Sequence, residues 1–210
     1  MSVESIINWL SDQENYTDYI IGKFGPKNKV DLSTSPIIRE DIRFKDMVIE
    51  YAFDIPLPGN KHITLDIDKN VIAAFDLTRN QLYNCALRNA VRTYFCMPLD
   101  DVLKAAYPEM EIKSTPAYVL SSYNNYYGAF AMCSNDILMN VCREWFDAKD
   151  DLVILPCGKH EVMVLPTWEF PISELKELVH ECNRTEVVGD DCITDHVYIW
   201  DRCTETLTEI

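Results

Sequence analysis

The chain has 210 residues, with 34 Asp and Glu against 19 Lys and Arg, a net charge of -15 at pH 7 and 48% hydrophobic residues. That apolar fraction can bury a core, which excludes a disordered acidic tail. The negative charge excludes wrapping bare nucleic acid or lying on an anionic membrane, because both need a positive surface; small ligands, metal cations and basic proteins stay open.

In chain order, Ile6, Ile7, Trp9 and Leu10 share one helical face, and Tyr16, Tyr19 and Ile20 continue the spacing. This predicts an N-terminal helix or helix pair, ended by Gly22, Gly25 and Pro26. Residues 47–55 alternate β-branched and aromatic types and read as a strand. After the turn chemistry of Pro56-Leu57-Pro58-Gly59-Asn60, Ile63, Leu65 and Ile67 alternate with polar residues, as in a half-buried strand. Thr78 is a candidate N-cap for a helix to Arg92, and a shorter helix is predicted over 99–106. Residues 114–135 carry no charge, but Pro116, Ser121, Ser122, Asn124, Asn125 and Gly128 interrupt them, so two strands and a turn are expected rather than a membrane span. Ser134 caps a predicted helix to Phe146, and residues 152–155 form a short apolar strand. Pro156-Cys157-Gly158-Lys159 turns the chain into a return strand over 160–165. Pro171 opens a helix to about Asn183, and residues 196–200 are a last strand. Helices interrupted by hairpins predict an α+β (mixed α/β) fold, helices packed on a mainly antiparallel or mixed sheet. The expected division is an N-terminal helical segment and linker over 1–45 and an α+β domain over 46–210.

The eight cysteines contain no Cys-x-x-Cys pair, and the residues after Met1 have neither a basic nor a continuous apolar stretch. Both features fit a reduced, cytoplasmic protein whose cysteines serve as small hydrophobes.

Few residues suggest chemistry. Cys157, His160 and Glu161 could pair a thiol with an oriented base, although a turn places such side chains apart. His160, Glu161, Asp195 and His196 put two histidines beside carboxylates at strand starts, so adjacent strands could join them as a small hydrolase site holding a metal. In the bland alternative these are strand-end hydrogen-bonding pairs in a structural or regulatory domain. His62 and His180 read as surface positions. With six glycines, no phosphate loop, no Gly-x-Ser-x-Gly elbow and no His-Glu-x-x-His helix, no catalytic residue, metal or cofactor is assigned. Tyr123, Tyr126 and Tyr127 flank Asn124-Asn125 and could anchor a partner or pack on the protein's own body. Residues 167–210 hold eleven acidic side chains against three basic ones, a net -8. Among them Glu174, Glu177 and Glu181 fall on one helix face, with Glu186, Asp190 and Asp191 following. Such a face is either simply solvated or shaped for a basic cleft.

The run Pro156-Cys157-Gly158-Lys159-His160-Glu161-Val162-Met163-Val164-Leu165-Pro166 resembles the PSSxHEVxLLP signature of a bacterial domain-of-unknown-function family, number 5688. Val179, Glu181, Asn183, Thr185 and Val187 match its VxEVNxTxV run. Residues 194–202, with Asp195, His196, Tyr198, Asp201 and Arg202, match its SDHVYxYDR ending. The resemblance covers roughly residues 60–205 and leaves the N-terminal 50 residues unlike the family. It departs at Cys157 and Gly158, where the family carries serines, so an obligatory nucleophile at Cys157 is not expected. At Ser122 the family usually has Asn. The resemblance implies a cytosolic bacterial or mobile-element protein and implies no reaction.

The expectation from these features is a non-enzymatic acidic binding protein. It would inhibit or regulate a basic, nucleic-acid-handling protein, for example a defence nuclease, without itself touching nucleic acid or membrane. The alternatives are the hydrolase and the structural domain above.

Overall fold

The structure is a computed structural model that describes residues 2–29, 41, 43–59, 61–109, 111–147, 150–185 and 189–210. Helix α1 (Val3–Ser11) starts where the Ser2 side chain accepts from the Ser5 N–H, and it buries Ile6 and Leu10. Beyond a three-ten turn at Tyr16–Tyr19 the expected helix does not continue. Ile20–Pro26 is strand β1, antiparallel to β2 (Met47–Leu57) from Ile20↔Phe53 to Pro26↔Met47. The reason is a period of two: Ile20, Gly22 and Phe24 are buried while Ile21 and Lys23 are half-buried. Gly22 is there for space, since a Cβ would lie 2.5 Å from the Phe130 ring. β3 (Lys61–Asp66) completes a three-stranded sheet in the order β1-β2-β3.

Helix α2 (Lys69–Phe75) is capped by Asp68, which accepts from the Asn70 and Val71 N–H groups. Helix α3 (Arg79–Thr93) opens with a capping box between Thr78 and Gln81. β4 (Tyr94–Pro98) and α4 (Leu99–Ala106) follow, then β5 (Tyr118–Ser122). The hairpin expected over 114–135 is only half present. After β5 the chain enters a three-ten helix, Gly128–Cys133, whose six residues are all buried, and β5 pairs instead with β4 and β7 (Val162–Pro166). Asn125 (φ 57°) and Tyr127 (φ 55°) are left-handed and turn the chain inward before it can form a return strand.

Helix α5 (Asn135–Trp145) is capped by Ser134 as predicted. β6 (Leu152–Pro156), β8 (Tyr198–Asp201) and β9 (Thr206–Glu209) complete a six-stranded sheet in the order β4-β5-β7-β6-β8-β9, and helix α6 (Ile172–Thr185) lies in the chain between β7 and β8. Every pairing in both sheets is antiparallel, and the fold is α+β with an N-terminal helix.

β6 is buried at all five positions because it lies between two layers. Leu152 and Ile154 join Tyr198 and Trp200 in the main core, which extends to the three-stranded sheet and α3. Val153 and Leu155 face a second core with Leu175 and Val179 of α6. That double cover is why this strand reads as a continuous apolar run rather than an alternating one. No helix among the described residues is long and apolar enough to cross a membrane.

Candidate functional site

Between the two sheets lies a cleft of about 670 Å³. Its volume is in the range of small-molecule sites, roughly 300–1,000 Å³. β1 and β2 form one side, α3 a second, and the segment after β5 a third; Gly22, Asp54, Asn89, Ser122 and Tyr126 are among its lining residues.

The polar groups here form a linked chain. Asn124 Nδ2 donates to Asp54 Oδ2 at 2.7 Å, and His62 Nδ1 lies 3.2 Å from the same oxygen. Ser122 Oγ is 2.6 Å from Asn124 Oδ1 and 2.8 Å from Tyr126 O, so one proton serves two acceptors. The Tyr126 N–H also donates to Asn124 Oδ1, at 3.2 Å. Asp54 is brought to His62 by the β2–β3 register, in which His62 stands opposite Pro56, two positions along from Asp54. Burial raises the Asp54 carboxyl above its ordinary range, against the opposing pull of His62 and Asn124.

Asn89 faces the cleft from α3 and is 4% exposed. Its Nδ2 donates to Thr17 O and to Ile20 O, both at 2.8 Å. Two carbonyl acceptors fix which end of the amide carries the nitrogen. The Oδ1 left over is buried and has no hydrogen-bond partner among the described residues.

His160 supports this site from behind. Its Nδ1 accepts from the Tyr127 N–H at 3.2 Å, its backbone oxygen accepts from Ser121 Oγ at 2.8 Å, and its ring lies 5.6 Å from Tyr126 and 5.5 Å from Tyr127. A Cβ on Gly128 would meet Ser122 N at 2.5 Å and the same His160 oxygen at 2.6 Å, so this crossing accepts only glycine. Burial lowers the His160 pKa below the ordinary imidazole value, with Asp191 pulling the other way.

The hydrolase constellation suggested by the sequence is divided. His160 Nε2 is 3.8 Å from Asp191, while His196 lies between Asp46 at 3.6 Å and Glu209 at 3.5 Å. Asp195 accepts from Asn183 Nδ2 at 2.8 Å, and Glu161 is exposed. Among the described residues no group of three or more His, Cys, Asp and Glu is arranged to hold a metal. Cys157 turns its Sγ to Leu155 O at 3.5 Å, and burial pushes its thiol up to about 12, so it is protonated near neutral pH.

Glu174, Glu177 and Glu181 are exposed on α6, and Asp191 is engaged by Lys159 at 2.6 Å. Glu186 and the side chain of Asp190 lie outside the described residues. Tyr123 and Tyr126 are exposed and Tyr127 is half-buried, all at the cleft. Sequence reasoning missed Asp54, His62, Asn89 and Asn124. The one available signal was the pair of acidic residues, Glu50 and Asp54, inside the mostly apolar run of β2.

The sequence profile of a family of unknown function, DUF5688, matches residues 13–202. The chain belongs to the DUF5688 family. The match reaches further toward the N-terminus than the motifs suggested, so β1 and the start of β2, within the 50 residues that looked unlike the family, are inside the matched span. Every residue named above at the cleft lies inside it. No curated protein and no solved structure matches the chain.

Proposed function

We propose that this DUF5688 member is a non-enzymatic binding protein whose ligand site is the cleft between the sheets. The observation that carries this reading is the cleft itself: tyrosine-rich walls around a polar chain, Ser122–Asn124–Asp54–His62, fixed by its own hydrogen bonds. Preorganised polar groups in an apolar concavity orient a ligand at little ordering cost. The groups first suspected of catalysis have other partners. His160 Nδ1 accepts a backbone proton and the Cys157 thiol stays protonated.

The test is an NMR fragment screen on the full chain, with Ala90→Phe as a blocking variant because Ala90 lines the cleft and is half-buried. Fragments that shift amides of residues 54–62 and 121–128, and that Ala90→Phe excludes, support the proposal. Fragments that bind elsewhere only, or ignore the blocked cleft, overturn it.

A second reading places this acidic protein on a basic, nucleic-acid-handling partner, such as a defence nuclease that it inhibits. The exposed row of Glu174, Glu177 and Glu181 favours it. Complementary charge speeds encounter and is screened by salt, the Debye length falling from about 10 Å at 0.1 M to about 3 Å at 1 M. Capture of a partner from host lysate at low salt should be lost when the three glutamates become glutamine. Capture that survives that change removes the face from consideration.

A further inference from the structure

We infer that the cleft selects ligands carrying a protonated amine or guanidinium on an aromatic or apolar body, with Asp54 as the counter-ion. The inference rests on the cleft being a ligand site, as proposed above.

The charges of the wall come first. Its ionisable carboxylates and imidazole are Asp18, Asp54 and His62, and no Lys or Arg lines it among the described residues. Asp18 is already engaged, by Arg88 at 3.4 Å and Arg92 at 3.2 Å. Asp54 has only the His62 ring and the Asn124 amide among the described residues. It is thus a largely desolvated carboxylate with no Lys or Arg partner among the described residues, and a ligand cation would supply a permanent charge.

The remaining groups point the same way. Asn89 Oδ1, buried beneath the wall and without a hydrogen-bond partner among the described residues, adds partial negative charge there, although it is too buried to touch a ligand. Tyr19, Tyr94, Tyr123, Tyr126 and Tyr127 line the cleft. Ring faces attract cations, and one of these rings already does so: Lys23 Nζ sits 5.7 Å from the Tyr127 centroid. A ligand carboxylate or phosphate would meet Asp54, while the cations nearest the wall are already paired, Lys23 with Asp66 and Arg88 and Arg92 with Asp18. The overall charge of -15 adds a field that concentrates cations near the surface.

The test uses three probes of one shape, 2-phenylethylamine, 2-phenylethanol and 3-phenylpropionate, titrated by NMR into the full-length protein. The amine should shift cleft amides with an affinity at least about tenfold above the alcohol, with the carboxylate weakest. Asp54→Asn should bring the amine down to the level of the alcohol and leave the alcohol unchanged. If that variant does not fold, the ranking on the wild-type chain decides alone. Equal or tighter binding of the alcohol or the carboxylate in the cleft overturns the cation preference while the cleft reading stands. Silence of the cleft amides toward all three probes at about 10 mM, where even very weak fragments register, overturns both.

Discussion

The backbone N–H of Tyr127 donates to Nδ1 of His160 across 3.2 Å, joining two residues 33 positions apart. An imidazole nitrogen accepts only when it carries no proton, so the bond fixes His160 as the neutral Nε2–H tautomer. The same histidine receives Ser121 through its backbone and packs on the tyrosines of the cleft rim.

Acid should therefore loosen this corner. The groups facing His160 are Asp191, Lys159 and Glu161, with the rings of Tyr126 and Tyr127. Its native pKa is depressed below the ordinary 6.5, chiefly by burial. Between those two values the unfolded chain binds more protons, so stability from this group is fully present above 6.5 and is lost as pH falls toward the native pKa. Urea midpoints from about pH 7.5 to about pH 5 should fall more for wild type than for His160→Asn, which cannot take the proton. Parallel pH profiles would remove His160 from this role.

Gly128 should be the least replaceable glycine. Its φ is not in the left-handed region, so the constraint is space alone: a Cβ would sit 2.5–2.6 Å from Ser122 N, His160 O and Ser121 Oγ. Two of these are backbone atoms of paired strands and their turn, which cannot move separately. Gly128→Ala should cost about 2–3 kcal/mol, by the usual scale of overpacking. Gly158→Ala is the control, since its Cβ would meet only Asp191 O, at 3.3 Å, and should cost under about 1 kcal/mol. Equal losses in urea unfolding would contradict the steric account.

Thr78→Ala should destabilise by about 0.5–2 kcal/mol, because it removes one half of a reciprocal cap. The Thr78 side chain accepts from the Gln81 N–H at 3.2 Å, and Gln81 Oε1 accepts from the Thr78 N–H at 2.8 Å. Thr78→Ser keeps an oxygen in place and should recover most of the loss. A calorimetric Tm series on the three proteins checks both.

That cap also shows what kind of structure the amino-acid sequence announces. Thr78 and Ser134 act within three residues of themselves, and both helix starts were legible from local chemistry alone. β6 was legible for a different reason, its unbroken apolar run. β1 was not: Tyr16, Tyr19 and Ile20 keep helical spacing up to the point where β2 captures the chain. β4 spans only five residues between two helices and depends on β5 for definition. The site divides in the same way. The tyrosine cluster announced itself, whereas the Asp54–Asn124 bond closes over 70 residues and no local pattern encodes it. His62 looked like a surface residue until the β2–β3 register placed it beside Asp54.

Asn89 gives the most discriminating variant. Its amide nitrogen holds Thr17 O and Ile20 O at 2.8 Å each, tying α3 to the start of β1. Asn89→Asp keeps the shape and replaces that donor with an acceptor, so two carbonyls would face a carboxylate in a buried place. The neutral acid can still donate to one of them, so the native state would hold its proton well above the ordinary carboxyl range. The sign follows: the native state binds the extra proton, and stability is lost as pH rises from the unfolded pKa through the raised native one. Asn89→Ala removes the amide donor from both carbonyls, although Thr17 O keeps the Ile20 N–H, so the loss should be about 1–3 kcal/mol with no added pH dependence. At about pH 7 Asn89→Asp should thus be the less stable of the two, and at about pH 4 it should be the more stable. Urea unfolding of both variants at the two pH values checks this crossing. Curves that keep the same order at both would mean that the amide nitrogen does not hold the two carbonyls.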